Sequence, residues 1–232
     1  MGRLAQTLGL AERIPRTSEI EIRNTLIKAI FFDYDGVLTT DKTGSVTTVR
    51  YLSKATGIDF FTLQKAMAAY NEDLTLGKTT HESIWPNLCE VLGKKIDITL
   101  LRAAFESTPI NAGVFDLARE LRLRFNVGII TDNKADRICH LRKFQKLDDC
   151  FSPIVVSAQI GASKGQPEIF SHALAQAGIA PNEGIFVDNN RKNLLAPKSL
   201  GMKTIFHDDE TNDLVGLRYS IQLALQDSAS AA

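Results

Sequence analysis

The sequence predicts an α/β fold: a parallel β-sheet covered by helices on both faces, with a helical bundle inserted after the first strand. Two observations predict the sheet. Five short apolar segments each end at polar residues: Ala29–Asp33, Val127–Thr131, Ile154–Ser157, Gly184–Asp188 and Lys203–Phe206. They are continuous rather than alternating, and rich in β-branched residues or Phe, as strands buried on both faces are. From about residue 111 onward, helical patterns alternate with these segments, which implies a parallel sheet with crossover helices. A third observation predicts the insertion. Between residues 41 and 108 the alternation stops, and only helical patterns are found.

Taken in chain order, residues 1–27 read as an N-terminal extension, loosely docked or disordered. Arg3, Arg13 and Arg16 resemble a weak presequence, but Glu12, Glu19 and Glu21 argue against one. Residues 28–40 supply the first strand and its turn. In the helical segment 41–108, Leu52–Thr56 follows Thr47 and Thr48 and closes at Gly57, and Phe60, Leu63 and Met67 share one face. Ile84, Leu88, Val91 and Leu92 form another stripe, ending at Gly93. Leu100, Leu101, Ala104 and Phe105 form a third, before Pro109. Residues 109–232 complete the sheet domain. There Val114, Leu117, Ala118 and Leu121 recur at helical spacing, Pro167 suits a first helical turn and Gly178 suits the position beyond a helix end. The small-residue tail Ser228–Ala232 is expected to fray.

Composition removes several function classes. The 232 residues carry 27 basic and 27 acidic side chains, with no basic stripe, so nucleic acid is not expected as a partner. No apolar run is long enough to cross a bilayer, and the N-terminus has no signal-peptide core. The three cysteines, Cys89, Cys139 and Cys150, are scattered and lack zinc spacing, which fits reduced thiols and a cytoplasmic protein. Cys139 and His140 are neighbours, but a helix points them in different directions.

The chemistry concentrates where the strands end. Asp33 and Asp35 sit two residues apart, and continued strand geometry would point both to one side. Such carboxylates repel unless one is protonated or a divalent cation sits between them, and hard oxygen ligands suit Mg²⁺. A solvated strand-end turn would produce the same pair. Thr131 places a hydroxyl at the end of the second strand, where it and free N–H groups suit a phosphate oxygen; Thr131, Asp132 or Asn133 would equally serve as a helix N-cap. Lys164 stands just before a helix start, where the helix dipole disfavours it, so either a bound phosphate or simple surface exposure accounts for it. Asp188 ends a further buried strand. Lys78, His81 and Trp85 cluster within the insertion and could contact a ligand, but they are read as exposed helix positions and not as site residues.

Together the pattern Asp33-Tyr-Asp35-Gly-Val-Leu, Thr131, Ser163-Lys164-Gly-Gln-Pro-Glu-Ile-Phe170 and Phe186-Val-Asp188-Asn-Asn-Arg-Lys-Asn193 resembles the haloacid dehalogenase (HAD) superfamily with an inserted helical cap, from Lys28 to Asp208. The resemblance implies a Rossmann-like core and a magnesium-dependent phosphomonoester hydrolase acting through an aspartyl-phosphate. Asp33 would be the nucleophile and Asp35 the general acid/base. Thr131, Asp132 and Lys164 would hold the phosphoryl group. Asp33, Asp35 (through its backbone carbonyl) and Asp188 would bind Mg²⁺. Asp35 separates the chain from the dehalogenases, which usually carry Tyr there and need no acid for a halide. A small phosphorylated metabolite such as a sugar phosphate is the implied substrate. A sugar phosphomutase of the same superfamily and a non-catalytic phosphate-binding module are the alternatives. Response-regulator receivers do not fit the motif order, and no P-loop segment exists. The chain departs from the family pattern at Asn189, at Gly165 and at Asp132. The residues do not indicate an oligomeric state.

Overall fold

The computed structural model of this chain describes residues 26–227. The first twenty-five residues of the expected extension and the tail Ser228–Ala232 lie outside the described residues. Ile27, expected in the extension, is only 3% exposed and belongs to the core.

Five strands, β1 (Ala29–Phe32), β2 (Asn126–Thr131), β3 (Ile154–Val156), β4 (Gly184–Asp188) and β5 (Lys203–Phe206), form one parallel sheet in the order β3-β2-β1-β4-β5. Each expected strand is present. The chain runs outward from β1 through β2 and β3, then crosses to the other side of β1 for β4. The sheet therefore has its switch point between β1 and β4, where open α/β sheets hold their ligands. Register decides what meets there. Phe32 pairs with Val187, and the Asp33 N–H donates to the Val187 carbonyl at 2.8 Å, so Asp33 and Asp188 emerge side by side.

Alternate residues of β1 feed opposite faces of the sheet. Ile30 and Phe32 pack with α6 (Ala112–Arg122), α7 (Ala135–Phe144) and α11 (Leu214–Asp227). Ala29 and Phe31 pack with α9 (Pro167–Ala177) and α10 (Leu195–Leu200). The expected signals around α9 hold: Pro167 occupies its first turn, and Gly178 closes it in the left-handed conformation. A single turn, α8 (Ser157–Ile160), follows β3. No helix among the described residues is long and apolar enough to cross a membrane.

Between β1 and α6 lie α1 (Gly44–Thr56), α2 (Phe60–Ala68), α3 (Asn71–Thr75), α4 (His81–Val91) and α5 (Leu100–Glu106). The chain enters and leaves this insertion side by side: Thr39 and Ile110 form an antiparallel bridge, and the Thr40 N–H donates to the Pro109 carbonyl. Details depart from the expected stripes. The first helix begins at Gly44, ahead of Thr47 and Thr48. The Thr43 hydroxyl caps it by accepting from the Val46 N–H, and the hydroxyls of Thr47 and Thr48 are satisfied by Asp41 and the Gly44 carbonyl. Of Phe60, Leu63 and Met67, only Leu63 is fully buried. Val91 is 70% exposed; Trp85 fills the α4 face instead, its indole N–H donating to the Ile96 carbonyl at 2.8 Å.

Candidate active site

The carboxyl ends of β1, β2 and β4 open into a cavity of about 980 Å³, walled on its far side by residues of the insertion. Asp33 follows β1 directly. The chain then makes a wide turn through Tyr34–Leu38, closed by the Thr39 N–H on the Tyr34 carbonyl. Gly36 turns it at φ +78°, in the left-handed region that favours glycine. A side chain there would also point at the Asn189 amide, 2.1 Å from an ideal Cβ. Asn189 thus packs against the turn just after Asp35.

Lys164 joins the ends of two strands. Its ammonium lies 2.6 Å from Asp33 and 2.7 Å from Asp188, and all three side chains are buried. The surface lysine considered from sequence is therefore ruled out by burial. Asp132 explains the placement of Lys164: its carboxylate accepts from the Lys164 backbone N–H at 2.8 Å and ties down the loop that carries it. Asp188 is further held by the Asn190 N–H and by the Asn193 amide.

Two buried carboxylates share one ammonium, so the group is net negative when both are ionised. Burial pushes the Asp33 carboxyl up to about 8; the Lys164 charge pulls it down, while Asp188 and Asp35 push it up further. Burial also opposes the charge on Lys164, but Asp33, Asp188 and Asp132 outweigh it and keep the ammonium charged. Burial raises Asp132 above the ordinary carboxylate range, against the pull of Lys164. The excess negative charge suits a cation. No group of three or more His, Cys, Asp or Glu side chains gathers as a metal cluster among the described residues. The pair Asp33 and Asp188 still fits Mg²⁺, which commonly takes only one or two carboxylates and keeps several waters.

Asp35 is differently placed. Arg137 of α7 grips it bidentately, Nη1 to Oδ2 at 2.8 Å and Nη2 to Oδ1 at 2.9 Å, and the Asn133 amide donates to Oδ2 at 2.8 Å. Its carboxylate is thus engaged by protein donors, and only its backbone carbonyl remains for the expected metal contact. Thr131 is buried at the end of β2, its hydroxyl 3.3 Å from the Asn133 amide. None of Thr131, Asp132 and Asn133 is the N-cap of α7. That position is Lys134, which makes no capping bond.

Several site residues were not singled out from sequence. Arg137 is absent from the sequence reading and Asn133 enters it only as a possible N-cap, because nothing local to them reports a carboxylate far away in the chain. His81 was noticed, but as an exposed helix position. It is 3% exposed and lines the cavity, and its Nδ1 lies 2.7 Å from Asp136 of α7. Lys78 stays on the surface beside Asp73, and Trp85 is core. Lys134 reaches across to the Asn71 side chain of the insertion at 2.7 Å.

Comparison with known proteins places the fold in a family. The family description "haloacid dehalogenase-like hydrolase" matches residues 30–207, most of the chain. The chain belongs to this family. Glyceraldehyde 3-phosphate phosphatase of Pyrococcus furiosus is 30% identical over 204 residues, 78% of this chain and 80% of that protein. Bifunctional epoxide hydrolase 2 of Rattus norvegicus is 26% identical over 81% of this chain and 38% of its own length. Among solved structures, a HAD family enzyme of Bacteroides thetaiotaomicron in complex with magnesium and inorganic phosphate superposes with a TM-score of 0.61. It is 23% identical and covers 78% of this chain and 93% of its own. This HAD-like hydrolase thus shares its fold with enzymes whose sequences have drifted far from its own.

Proposed function

We propose that this HAD-like hydrolase is a Mg²⁺-dependent phosphatase of small phosphorylated metabolites, sugar phosphates among them. The observation that carries the reading is the buried Asp33–Lys164–Asp188 group at the switch point of the sheet, facing the cavity between sheet and insertion. A lone nucleophilic carboxylate needs a fixed cation beside it to meet a phosphate dianion, and Lys164 supplies one. The phosphatase relative from Pyrococcus furiosus supports this substrate class, and the magnesium and phosphate of the Bacteroides enzyme support the metal.

In this reading Asp33 attacks phosphorus and forms the aspartyl-phosphate. Lys164 and the Thr131 hydroxyl hold the phosphoryl oxygens and neutralise their charge, the larger part of catalysis in phosphoryl transfer. Asp132 acts one step back, by fixing the Lys164 loop. Asp35 is the acid/base that serves the leaving group and then the attacking water. Asp33, Asp188 and the Asp35 carbonyl would hold Mg²⁺, which would add positive charge beside the phosphoryl group. The insertion, residues 41–108, acts as the cap that shelters the reaction from water, and His81, held by Asp136, is its contact with the leaving group.

The test is phosphate release from a panel of phosphomonoesters, with Mg²⁺ or with EDTA, for wild type and Asp33→Asn. Metal-dependent release that the variant loses is the expected result. No release from any ester would overturn the reading, and interconversion of sugar-phosphate isomers would then be the assay for a mutase.

A further inference from the structure

Arg137 is the largest fully buried side chain among the described residues, and its charge is not explained by the sheet or by any motif. Its guanidinium reaches three parts of the structure. On one side it grips both oxygens of Asp35. On the other, Nη2 donates to the Thr108 hydroxyl at 3.2 Å, in the segment where the chain leaves the insertion. Where the chain enters the insertion, Gly44 lies flat against it: an ideal Cβ there would fall 2.2 Å from the guanidinium carbon. Nη1 also donates to Asn133, and the group lies 5.5 Å from the centre of the Tyr34 ring. The Nε is a buried donor that meets no hydrogen-bond acceptor among the described residues. What the arrangement does secure is the orientation of Asp35.

The three donors on Asp35 have a chemical consequence. Arg137 Nη1 and Nη2 and the Asn133 amide all donate, and none of them accepts. Oδ2 takes two of these donors and Oδ1 only one, so the clamp fixes the carboxylate plane and leaves a lone pair on Oδ1 to take a proton. The first half of the reaction can proceed without a proton from Asp35 when the leaving group is acidic. The second half cannot do without a base. There, water oxygen bonds to phosphorus and the bond from phosphorus to the Asp33 oxygen breaks. The water proton passes to the Asp35 carboxylate, and Asp33 is released as a carboxylate.

We propose that Arg137 is a positioning residue that sets Asp35 as the base for hydrolysis of the aspartyl-phosphate, and that it is itself seated by the two segments joining the insertion to the sheet. This deepens the phosphatase reading and rests on it.

The experiment is pre-steady-state hydrolysis of 4-nitrophenyl phosphate, whose leaving group needs no proton. Wild-type turnover is measured first; a wild type that hydrolyses no phosphate ester overturns the phosphatase reading and this inference with it. With an active wild type, Arg137→Met is expected to release a burst of one nitrophenolate per enzyme. A steady state at least roughly 10-fold slower than wild type should follow. A residue that merely supports the fold would not make the intermediate accumulate. A folded Arg137→Met protein with no burst overturns the proposal. Because Arg137→Met leaves a buried carboxylate unpaired, the same change is also made in Asp35→Asn. If Arg137 acts through Asp35, the double variant hydrolyses its intermediate at the rate of Asp35→Asn alone. A further slowing in the double variant is the second result that would overturn it.

Discussion

At Asp33, burial and function pull in opposite directions. The carboxyl is pushed up to about 8 from an ordinary 3.8, chiefly by burial, because one ammonium must serve two buried carboxylates. A carboxyl raised in the folded state is penalised for ionising there. The fold therefore loses stability as pH rises from the ordinary value toward the raised one. Asp33→Asn removes that penalty and leaves Lys164 with one partner, Asp188. In EDTA, Asp33→Asn should melt at a higher temperature than wild type, with a gap that widens between about pH 4 and pH 8. Mg²⁺ should close the gap by supplying the missing positive charge. Thermal melts at several pH values with EDTA and with Mg²⁺ read this directly; a wild type that outlasts the variant in EDTA at pH 8 would contradict the charge argument. Turnover in the variant should fall by roughly 10³-fold or more, as when a nucleophile is lost. The Asp33, Lys164 and Asp188 positions were legible from sequence because each ends an apolar strand or precedes a helix start. Arg137 was not, because its partner Asp35 is remote in sequence and only the folded chain brings them together.

At the scale of elements, the turn after β1 carries the most information per residue. It places Asp33 on the Lys164 side and Asp35 on the Arg137 side. Continued strand geometry would have put the two carboxylates on one side; the chain leaves strand geometry at Tyr34, between them, and gives them separate partners instead. Gly36→Ala would place a Cβ against the Asn189 amide in a left-handed conformation. The flexible amide can move aside, but the backbone strain stays. A loss of roughly 1–3 kcal/mol in urea unfolding is expected, together with a fall in turnover, since the turn holds both aspartates. Unchanged stability and activity would show that the turn tolerates another path. The helices of the insertion were legible as helices and less so in their bounds. Thr47 and Thr48 look like helix-breaking residues by propensity, yet their hydroxyls find partners inside α1 and at Asp41. Likewise the stripe through Val91 read as buried, but the large ring of Trp85 takes that face and Val91 points outward.

Across the whole molecule, the insertion and the sheet share one hydrophobic cluster, with Val49, Leu52, Leu63 and Leu88 in the same contiguous group as Phe32, Ile129 and Val187. The first residues of the sheet domain belong to it as well. Ile27 is buried in that cluster, so Ile27→Ala should cost roughly 2–5 kcal/mol in urea unfolding. A near-neutral effect would mean that Ile27 packs loosely and that the extension reaches further along the chain than the structure indicates. The Lys134–Asn71 and His81–Asp136 bonds add polar ties across the same interface. Those ties hold the cavity wall in place above Asp33.

The sequence by itself determined the five strands, their parallel arrangement, the helical insertion and the order of the acids, the threonine and the lysine. These follow from local apolar runs, helical spacing and motif order, all of which are properties of short stretches of chain. Tertiary structure alone decided the strand order, the register that sets Asp33 beside Asp188, the sharing of Lys164 between them and the clamp on Asp35. Each depends on residues far apart in the chain meeting in space, and their energies arise only when burial removes water from between them. Short-range pattern carries no record of that, so the clamp on Asp35 became visible only once α7 was packed against the turn after β1.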